Sequence, residues 1–322
     1  MDAGLPPRGL GTPVSDALAA FAAAVGPAEA GPVVAVGGRT QWDVGVVDPA
    51  PIAREVTPPA GIVALEAADM TVRVRAGTTV TELDAALAAV GQTVALPPWP
   101  GATVGGVLAV GHSGVRQLGW GPVRDVLLEA RVISAEGRLI KAGGPTVKNV
   151  SGYDLCRLLV GSLGTLGLIG EVVLRTRPLP SAERWLAGHA DPFALVAQLY
   201  RPASVLWDGT TSWVLLDGHP SDIDAEAAIT GLTEVAGPPD LPPHRWSLRR
   251  SELPALSRAP EGAPGRFVAE VGTGVVHADV PAPSRPVDRH VAELHHRVKA
   301  AFDPTGRLNP GRDPLAGTGA AA

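Results

Sequence analysis

Three glycine-rich segments of this sequence have the residue types and spacing of a backbone that contacts a large ligand. The longest runs from Gly101 to Gly121 and places seven glycines in an apolar and hydroxyl frame, unlike a flexible linker. Glycine lacks Cβ, so it can take positive φ and lets another group approach the main chain closely. For any one of these glycines, a turn or bulge between strands is the alternative role. The candidate ligand contacts in this run are Gly105, Gly106, Gly111 and Gly114.

The other two segments each adjoin an apolar strand. Val33–Val36 leads into Gly37-Gly38-Arg39-Thr40, where successive backbone N–H groups can form a nest for a diphosphate. An ordinary β-turn is the alternative. Gly161–Gly167 enters the strand Leu168–Leu174, and a helix-to-strand turn needs glycine whether or not it binds anything.

Local signals predict the elements that carry these segments. Apolar residues at helical spacing predict a helix over 16–25, which Gly26-Pro27 ends. Thr79 and Glu82 form a capping box before a second helix, whose apolar face comprises Val80, Leu83, Leu87 and Val90 and which Gly91 closes. Val126–Ser134 and Leu139–Ala142 predict a hairpin. The front of the chain is therefore a mixed α+β domain.

The character of the sequence changes after residue 180. Proline-rich connections and short alternating segments such as Ser212–Asp217 and Arg266–Val276 follow, and these predict a reduced cap domain on the substrate side. A helix over Val287–Phe302, with an apolar face, then returns the chain to the first domain and ends at Asp303-Pro304. We expect domains over 14–180 and 181–286, a return segment over 287–312 and a disordered tail over 313–322.

Composition excludes several classes of protein. A formal net charge of −5 offers no basic surface for nucleic acid. The single cysteine, Cys156, lies in an apolar run and cannot form an intrachain disulfide, so we interpret it as a small buried hydrophobe. The sequence has no secretory signal and no apolar run of membrane-spanning length, which predicts a cytoplasmic protein that partner subunits could attach to a membrane.

Seven short pieces, in this order, give a resemblance to a known family. They are GGRT (37–40), PPWPGATVGG (97–106), GHSG (111–114), GPVRD (121–125), KNVSGYD (148–154), GSLGTLG (161–167) and FDPTGRLNPG (302–311). The chain resembles the FAD-linked oxidases of the vanillyl-alcohol-oxidase type, which share a PCMH-type FAD-binding domain, and among them the E subunits of glycolate oxidase. The resemblance implies a two-subdomain α+β FAD-binding fold with a cap.

The resemblance also implies which residues contact FAD. Members that attach FAD covalently often use a histidine in the diphosphate loop, where this chain has Arg39 and Thr40, so we expect noncovalent FAD. His112 is the one histidine in the glycine-rich run that leaves a covalent link open. The implied contacts are Gly37, Gly38, Arg39, Thr40, Pro98, Thr103, Gly105, Gly106, Gly111, Ser113, Gly114, Gly161, Gly164, Thr165, Gly167, Ile169 and Asn309.

Few residues could perform the chemistry. His277, at the end of an apolar strand, would suit abstraction of a hydroxyl proton as hydride leaves the carbon, although a lone histidine is more often a core or edge residue. Lys148 could stabilise negative charge on the reduced flavin. Asn149 and Asp154 suit helix caps, and Asn309 suits either a flavin contact or a turn. We interpret Arg124 and Asp125 as an ion pair at the start of a strand rather than as a catalytic pair.

The pattern departs from the related D subunits and D-lactate dehydrogenases. Those carry an HxGDGNxH motif that helps to bind the hydroxy acid, and this chain lacks it. It also lacks HExxH or paired CxxC spacing, so we expect no metal site, and it lacks the GxGxxG and GxxxxGK[ST] nucleotide motifs. FAD remains the cofactor that the sequence favours.

We therefore expect an FAD-binding subunit of a glycolate or 2-hydroxyacid oxidase complex. The resemblance implies that a D-like flavoprotein subunit works beside this chain and that an iron–sulfur partner takes the electrons. Because the chain has no cysteine cluster, the iron–sulfur clusters would lie on another polypeptide. Two alternatives stay open. One is a self-sufficient FAD oxidase with His277 as base and oxygen as acceptor, and the other is a non-catalytic assembly subunit.

Overall fold

The computed structural model describes residues 15–47, 52–144, 154–258, 265–283 and 286–316. Eight α-helices lie within these ranges: α1 (Asp16–Val25), α2 (Val80–Ala88), α3 (Val104–Val110), α4 (Gln117–Trp120), α5 (Leu155–Leu159), α6 (Pro192–Gln198), α7 (Pro220–Thr230) and α8 (Arg289–Phe302).

The same ranges contain sixteen strands, most of them in two antiparallel sheets. They are β1 (Val33–Ala35), β2 (Arg54–Val56), β3 (Ile62–Glu66), β4 (Thr71–Arg75), β5 (Gln92–Thr93), β6 (Leu127–Ile133), β7 (Leu139–Gly143), β8 (Leu168–Arg175), β9 (Arg177–Pro178), β10 (Ala182–Gly188), β11 (Ser204–Trp207), β12 (Ser212–Gly218), β13 (Thr233–Val235), β14 (His244–Ser247), β15 (Phe267–Glu270) and β16 (Val275–Ala278).

The first sheet has the order β3-β4-β8-β6-β7 and packs against α2, α3 and α5. The local predictions for this part are confirmed. Helix α1 has the predicted bounds, and Thr79 and Glu82 make both capping-box hydrogen bonds. Strands β6 and β7 form the predicted hairpin. The mixed α+β class follows directly from these elements.

A separate parallel pair, β1 and β2, carries the first glycine-rich loop. Its position depends on the returning end of the chain, because Val33 forms a bridge with Leu308 and its N–H donates to the carbonyl of Arg307. Val33 and Leu308 also pack in one cluster with Ile133 and Leu168 of the first sheet, so residues far apart in sequence meet there.

The second sheet has the order β13-β10-β12-β11-β15-β16-β14. Helices α6 and α7 cover one face, and Trp207 packs edge-to-face between Phe193 and Phe267 at 5.8 and 5.6 Å. Strand β10 begins at Ala182, after β9 has paired with β5. The domain boundary at residue 180 stays a prediction.

Three expectations require correction. Arg266–Val276 is not one alternating segment but a hairpin, because Gly272 and Gly274 take positive φ and turn β15 into β16. Val90, expected on the apolar face of α2, is exposed, since the helix ends at Ala88. Helix α8 begins at Arg289 rather than 287, because the Asp288 side chain caps it.

Candidate functional site

The loop after β1 forms one wall of a cleft between the small parallel sheet and α3. The cleft is lined by Val34, Ala35, Gly37, Gly38, Arg39, Thr40, Gln41, Trp42, Val44, Thr103, Gly106, Ala109, Val110, Leu163, Asn309 and Arg312. Glycine is needed at Gly37 and Gly38, because a Cβ there would collide with the Thr103 side chain and the Gly101 carbonyl. The two loops can touch only because these positions lack side chains.

Arg39 is already engaged within the protein. Its Nη2 lies 2.6 and 2.7 Å from the two carboxylate oxygens of Glu55, and its guanidinium stacks 4.5 Å from the centre of the Trp42 ring. Its backbone is left-handed, with φ of 54°. The side chain therefore fixes the loop, and residues 37–40 line the cleft.

Two adjacent glycines of α3 have different surroundings. A Cβ on Gly105 would lie 2.7 Å from the Ala76 Cβ, so this glycine lets α3 pack against the end of β4. A Cβ on Gly106 would meet only the Thr103 hydroxyl, at 3.0 Å, and Gly106 lines the cleft. The Thr103 hydroxyl caps α3 by accepting from the Gly106 N–H at 3.3 Å. The cleft thus depends on Gly106, whereas Gly105 has a packing role.

Asn309 closes the far end of the cleft and joins three segments. Its Oδ1 accepts from the Ala35 N–H at 3.0 Å, and its Nδ2 donates to the Leu163 carbonyl at 2.7 Å. A Cβ on Gly164 would lie 2.5 Å from that same Nδ2. The amide therefore has a structural role, and its contact with a cofactor stays a prediction.

The remaining residues of the third glycine-rich segment are packed inside the protein. The Thr165 hydroxyl donates to the Ser162 carbonyl at 2.7 Å, and Ile169 is buried in the core of the first sheet. A Cβ on Gly167 would meet Val132 at 3.3 Å, and one on Gly111 would lie 2.9 Å from the backbone of Gly161. Their cofactor contacts stay predictions.

A polar cluster of one buried and two half-buried side chains lies on the second sheet, and sequence reasoning identified one of its members. His277 Nε2 lies 3.0 Å from the Glu270 carboxylate, across the β15–β16 hairpin. Arg245 pairs with His277 in the β14–β16 register, and so their side chains lie on the same face. Burial lowers the pKa of Arg245, against the opposing charge of Glu270. The Arg245 Nε is buried with no hydrogen-bond partner among the described residues.

His112 of the glycine-rich run faces this cluster from the first domain. Burial, together with the neighbouring Arg245 and His277 side chains, lowers its pKa to about 4. Its Nδ1 lies 3.2 Å from the Nε2 of Gln41, which also lines the cleft. Because an amide NH₂ can only donate, Nδ1 is the acceptor and His112 is neutral at pH 7. Gln41 and His112 therefore connect the cleft to the cluster.

The run from His112 to Gly121 crosses the second sheet and is clamped there. Trp120 Nε1 donates to Asp217 at 2.5 Å, and the guanidiniums of Arg116 and Arg177 stack on its ring at 4.8 and 4.5 Å. Arg116 also pairs with Glu183. This clamp fixes the glycine-rich run against the sheet that carries His277.

On the other side of the clamp lies a cavity of about 460 Å³. Pro98, Ser113 and Gly114, three of the predicted cofactor contacts, are in its wall. Burial raises the pKa of Asp84 in this wall to about 6, although the nearby Arg116 charge opposes the shift. The Ser113 hydroxyl oxygen accepts a hydrogen bond from the Val123 N–H at 3.0 Å. Of the predicted contacts, seven therefore line the cleft and three line this cavity, while the others line neither.

Other sequence predictions have simpler outcomes. Lys148, Asn149 and Tyr153 lie outside the described residues. The Asp154 carboxylate caps α5 by accepting from the Arg157 N–H at 3.2 Å, and Arg124 lies 3.9 Å from Asp125, both exposed.

Cys156 is buried, which raises the pKa of its thiol to about 11. Among the described residues no group of three His, Cys, Asp or Glu side chains could hold a metal ion. In the same ranges no helix is long and apolar enough to cross a bilayer.

Comparison with known proteins agrees with this geometry. A family model described as an FAD binding domain matches residues 15–143. The chain is 34% identical to glycolate oxidase subunit GlcE of Escherichia coli (strain K12) over 208 residues, which are 61% of this chain and 58% of that protein. It is 45% identical to D-lactate dehydrogenase of Archaeoglobus fulgidus over 106 residues, 32% of this chain and 24% of the relative. The chain thus spans less than two thirds of these relatives.

Among solved structures, an alkyldihydroxyacetonephosphate synthase superposes with a TM-score of 0.65. The match covers 92% of this chain and 74% of that one at 15% identity, so it concerns the fold alone.

The two adjacent glycines of α3 generate the first prediction. Gly106→Val fills the cleft without meeting other backbone, so we expect flavin content after desalting to fall at least tenfold while circular dichroism is retained. Gly105→Val pushes α3 from β4 and costs about 1 to 3 kcal/mol of stability as an overpacked contact. Flavin absorbance per protein and urea unfolding of both variants check this. Full flavin occupancy in Gly106→Val would contradict it.

The lowered pKa of His112 generates the second prediction. In the unfolded chain the His112 imidazole binds a proton near pH 6.5, and in the folded chain it does so only near pH 4. His112 therefore does not change the free energy of unfolding above pH 6.5, and it lowers that free energy as the pH falls from 6.5 to 4. The loss is about 2 to 3 kcal/mol. His112→Gln keeps an acceptor for Gln41 but cannot be protonated, so it should remove this part of the dependence of the free energy of unfolding on pH. Urea midpoints of both proteins at pH 7.5, 5.5 and 4.0 decide it, and equal slopes would contradict it.

Proposed function

We propose that this chain is an FAD-linked oxidase with a PCMH-type FAD-binding domain and that it takes part in oxidising the CH–OH group of a 2-hydroxy acid. The observation that carries the proposal is the cluster of His277, Glu270 and Arg245 opposite His112. It combines a base, a group that orients the base and a cation in one place. Relatives named glycolate oxidase subunit and D-lactate dehydrogenase support this substrate class.

The cleft fits the cofactor of this family. The backbone amides of Gly37–Thr40 would hold the FAD diphosphate, and Gly106 leaves room beside them that a Cβ would fill. When bound, FAD supplies an acceptor for the hydride that leaves the substrate carbon. The chain's own residues must then bind the acid, accept its hydroxyl proton and keep water out.

His277 is suited to accept the proton. Since a carboxylate can only accept, we assign the proton of their 3.0 Å hydrogen bond to His277 Nε2. Nδ1 is then left unprotonated and can take a proton from a hydroxyl group. The Glu270 charge would stabilise the imidazolium that results, as an orienting carboxylate does beside other histidine bases.

Arg245 is suited to bind the carboxylate of the acid. A buried guanidinium with an unpaired Nε is costly unless it meets an anion, and a carboxylate accepts two parallel N–H bonds from it. His112, neutral because of its lowered pKa, can add a hydrogen bond without adding charge. The missing HxGDGNxH motif is thus replaced here by an arginine from β14.

We propose that the FAD is bound noncovalently. No histidine is in the loop 37–40, and Arg39 there is held by Glu55 and Trp42. Acid precipitation should therefore leave the flavin in the supernatant. A yellow pellet that stays coloured after washing would show a covalent link, and His112 is the residue to test by peptide mapping in that case.

The partners are proposed from the relative that is itself named a subunit. In this proposal the chain passes electrons to an iron–sulfur subunit and works beside a D-like flavoprotein. Its one cysteine cannot ligate a cluster.

A self-sufficient oxidase is the second candidate, favoured because His277, Glu270 and Arg245 are all supplied by one chain. Anaerobic addition of glycolate or D-lactate to the lone chain separates the two. We expect little flavin bleaching without partners, and rapid bleaching would favour the second candidate.

Arg245 gives the test of the substrate site. Oxalate, a carboxylate analogue that cannot be oxidised in this way, should perturb the flavin spectrum on binding. Arg245→Met should raise its Kd about 10- to 100-fold, as expected for loss of a charge-assisted hydrogen bond. Arg250→Met, at an exposed arginine a few residues away, should leave it unchanged.

Two outcomes decide this test. Equal oxalate affinity in wild type and Arg245→Met would remove Arg245 from the site. His277→Ala should keep oxalate binding within about threefold, yet slow flavin reduction 10²- to 10⁴-fold in the assembled complex, the range for a general base.

A further inference from the structure

The cavity of about 460 Å³ and the polar cluster lie at opposite ends of one face of the second sheet. Strand pairing aligns Trp185, in the cavity wall, with Leu215 of β12, and it aligns His277 with Val268 of β15. The pairings of β12 with β11 and of β11 with β15, followed through the alternation of side chains, put Trp185 and His277 on the same face. Strands β10 and β16 are four positions apart in the sheet, about 19 Å at 4.8 Å per strand. The cavity is therefore a separate place from the polar cluster.

The cavity is also separate from the cleft in which we propose that the FAD diphosphate binds. The two share no lining residue. The glycine-rich run passes from one to the other: His112 contacts Gln41 of the cleft, whereas Val115, Arg116 and Gln117 line the cavity. A molecule in the cavity therefore contacts a different part of the run from a molecule in the cleft.

The ionisable side chains in the cavity wall leave one negative charge without a partner. These side chains are Asp84, Arg116 and Glu183. Both guanidinium nitrogens of Arg116 donate to the Glu183 carboxylate, the second at 2.9 Å, so these two charges cancel. The Asp84 carboxylate makes no hydrogen bond or ion pair with the described residues, and its Oδ1 is buried. The cavity wall therefore carries one uncompensated carboxylate.

An unpaired carboxylate in such a place favours a positively charged ligand. A partly buried charge destabilises the protein unless a cation or hydrogen-bond donors meet it, and burial raises the pKa of Asp84 to about 6 for the same reason. The rest of the wall is mainly apolar, and its larger side chains are Val94, Leu96, Pro97, Pro98, Leu179 and Trp185. The volume lies within the range of sites for small organic molecules, about 300 to 1,000 Å³. A ligand with an apolar body and one cationic end fits both features.

The two tryptophans of the wall differ in what their rings already contact. The guanidiniums of Arg116 and Arg177 stack on the Trp120 ring. No arginine or lysine of the described residues stacks on the half-buried Trp185 ring. The face of a tryptophan ring attracts an organic cation more strongly than it attracts a neutral molecule of the same shape. Trp185 therefore adds to the preference of Asp84 for a cation.

We propose that this cavity is a second ligand site, which binds a small organic amine in its ammonium form. The ammonium group pairs with the Asp84 carboxylate, and the apolar body packs against Trp185 and the prolines at 97 and 98. The site goes beyond the oxidation of a hydroxy acid and does not depend on it, because none of its residues belongs to the polar cluster.

The experiment titrates the full chain, loaded with FAD, with 2-phenylethylamine and with 2-phenylethanol in a calorimeter at pH 7.5. The two probes have the same shape and differ in charge, so we expect the Kd of the amine to be at least tenfold lower. Asp84→Asn should raise the Kd of the amine at least tenfold and leave that of the alcohol within threefold. Asp69→Asn changes an exposed aspartate just before β4 and should alter neither Kd.

A second variant tests the aromatic wall. Trp185→Leu keeps an apolar side chain but removes the ring, so the Kd of the amine should rise about threefold more than that of the alcohol. Circular dichroism and flavin absorbance of each variant show whether the fold and the cofactor are retained.

Three results would overturn the amine site. The first is equal affinity of the wild type for the two probes, or no binding of either at millimolar concentration. The second is unchanged affinity for the amine in Asp84→Asn with its circular dichroism retained. The third is release of FAD by the amine, or loss of flavin from Asp84→Asn, because the cavity would then belong to the cofactor site. None of these results changes the oxalate test of Arg245, which concerns the other end of the sheet.

Discussion

The structure depends on a buried ionic group at the return of the chain, built around Asp303. Its carboxylate is fully buried and accepts from the Lys299 ammonium at 2.5 Å and from the N–H groups of Arg307 and Leu308 at 3.1 and 2.8 Å. A buried charge is tolerated only when it is paired and fully hydrogen-bonded, and this one is. Asp303 thereby fixes the turn that follows α8 and sets the direction of residues 307–309.

From that turn, two side chains hold the first domain together. Burial lowers the pKa of Arg307, which donates to the carbonyls of Val25, Gly26, Gly31 and Ala135 at 2.8 to 3.1 Å. Asn309 then joins β1 to the third glycine-rich segment. The cleft between β1 and the third glycine-rich segment exists because residues 307–309, more than 250 residues away from β1 in the sequence, hold these two walls apart. Local sequence cannot carry that information.

What the sequence predicted correctly is what local physics determines. The capping box of Thr79 and Glu82 is decided within four residues, and the β6–β7 hairpin needs only its turn and its flanking alternation. Gly105 and Gly106 mark the limit of such reasoning. They are adjacent glycines, yet Gly105 faces Ala76 and Gly106 faces the cleft. Which of the two faces β4 depends on how α3 packs against that strand, and this is determined by tertiary structure.

Local sequence also could not predict the whole polar cluster of His277, Glu270 and Arg245, although one residue, Glu270, gave a signal in the sequence. Arg245 reaches His277 through a strand pairing across the edge of the second sheet, so spacing along the chain does not reveal it. Glu270, however, is an acid inside the apolar strand Phe267–Glu270 and is almost fully buried. A buried carboxylate destabilises the fold unless another polar group pairs with it. Its partner His277 lies seven residues further along the chain, across a Gly-Thr-Gly turn. A buried acid in an apolar strand therefore indicates a polar cluster better than the histidine alone does, because the strand tolerates the charge only where partners such as His277 and Arg245 face it.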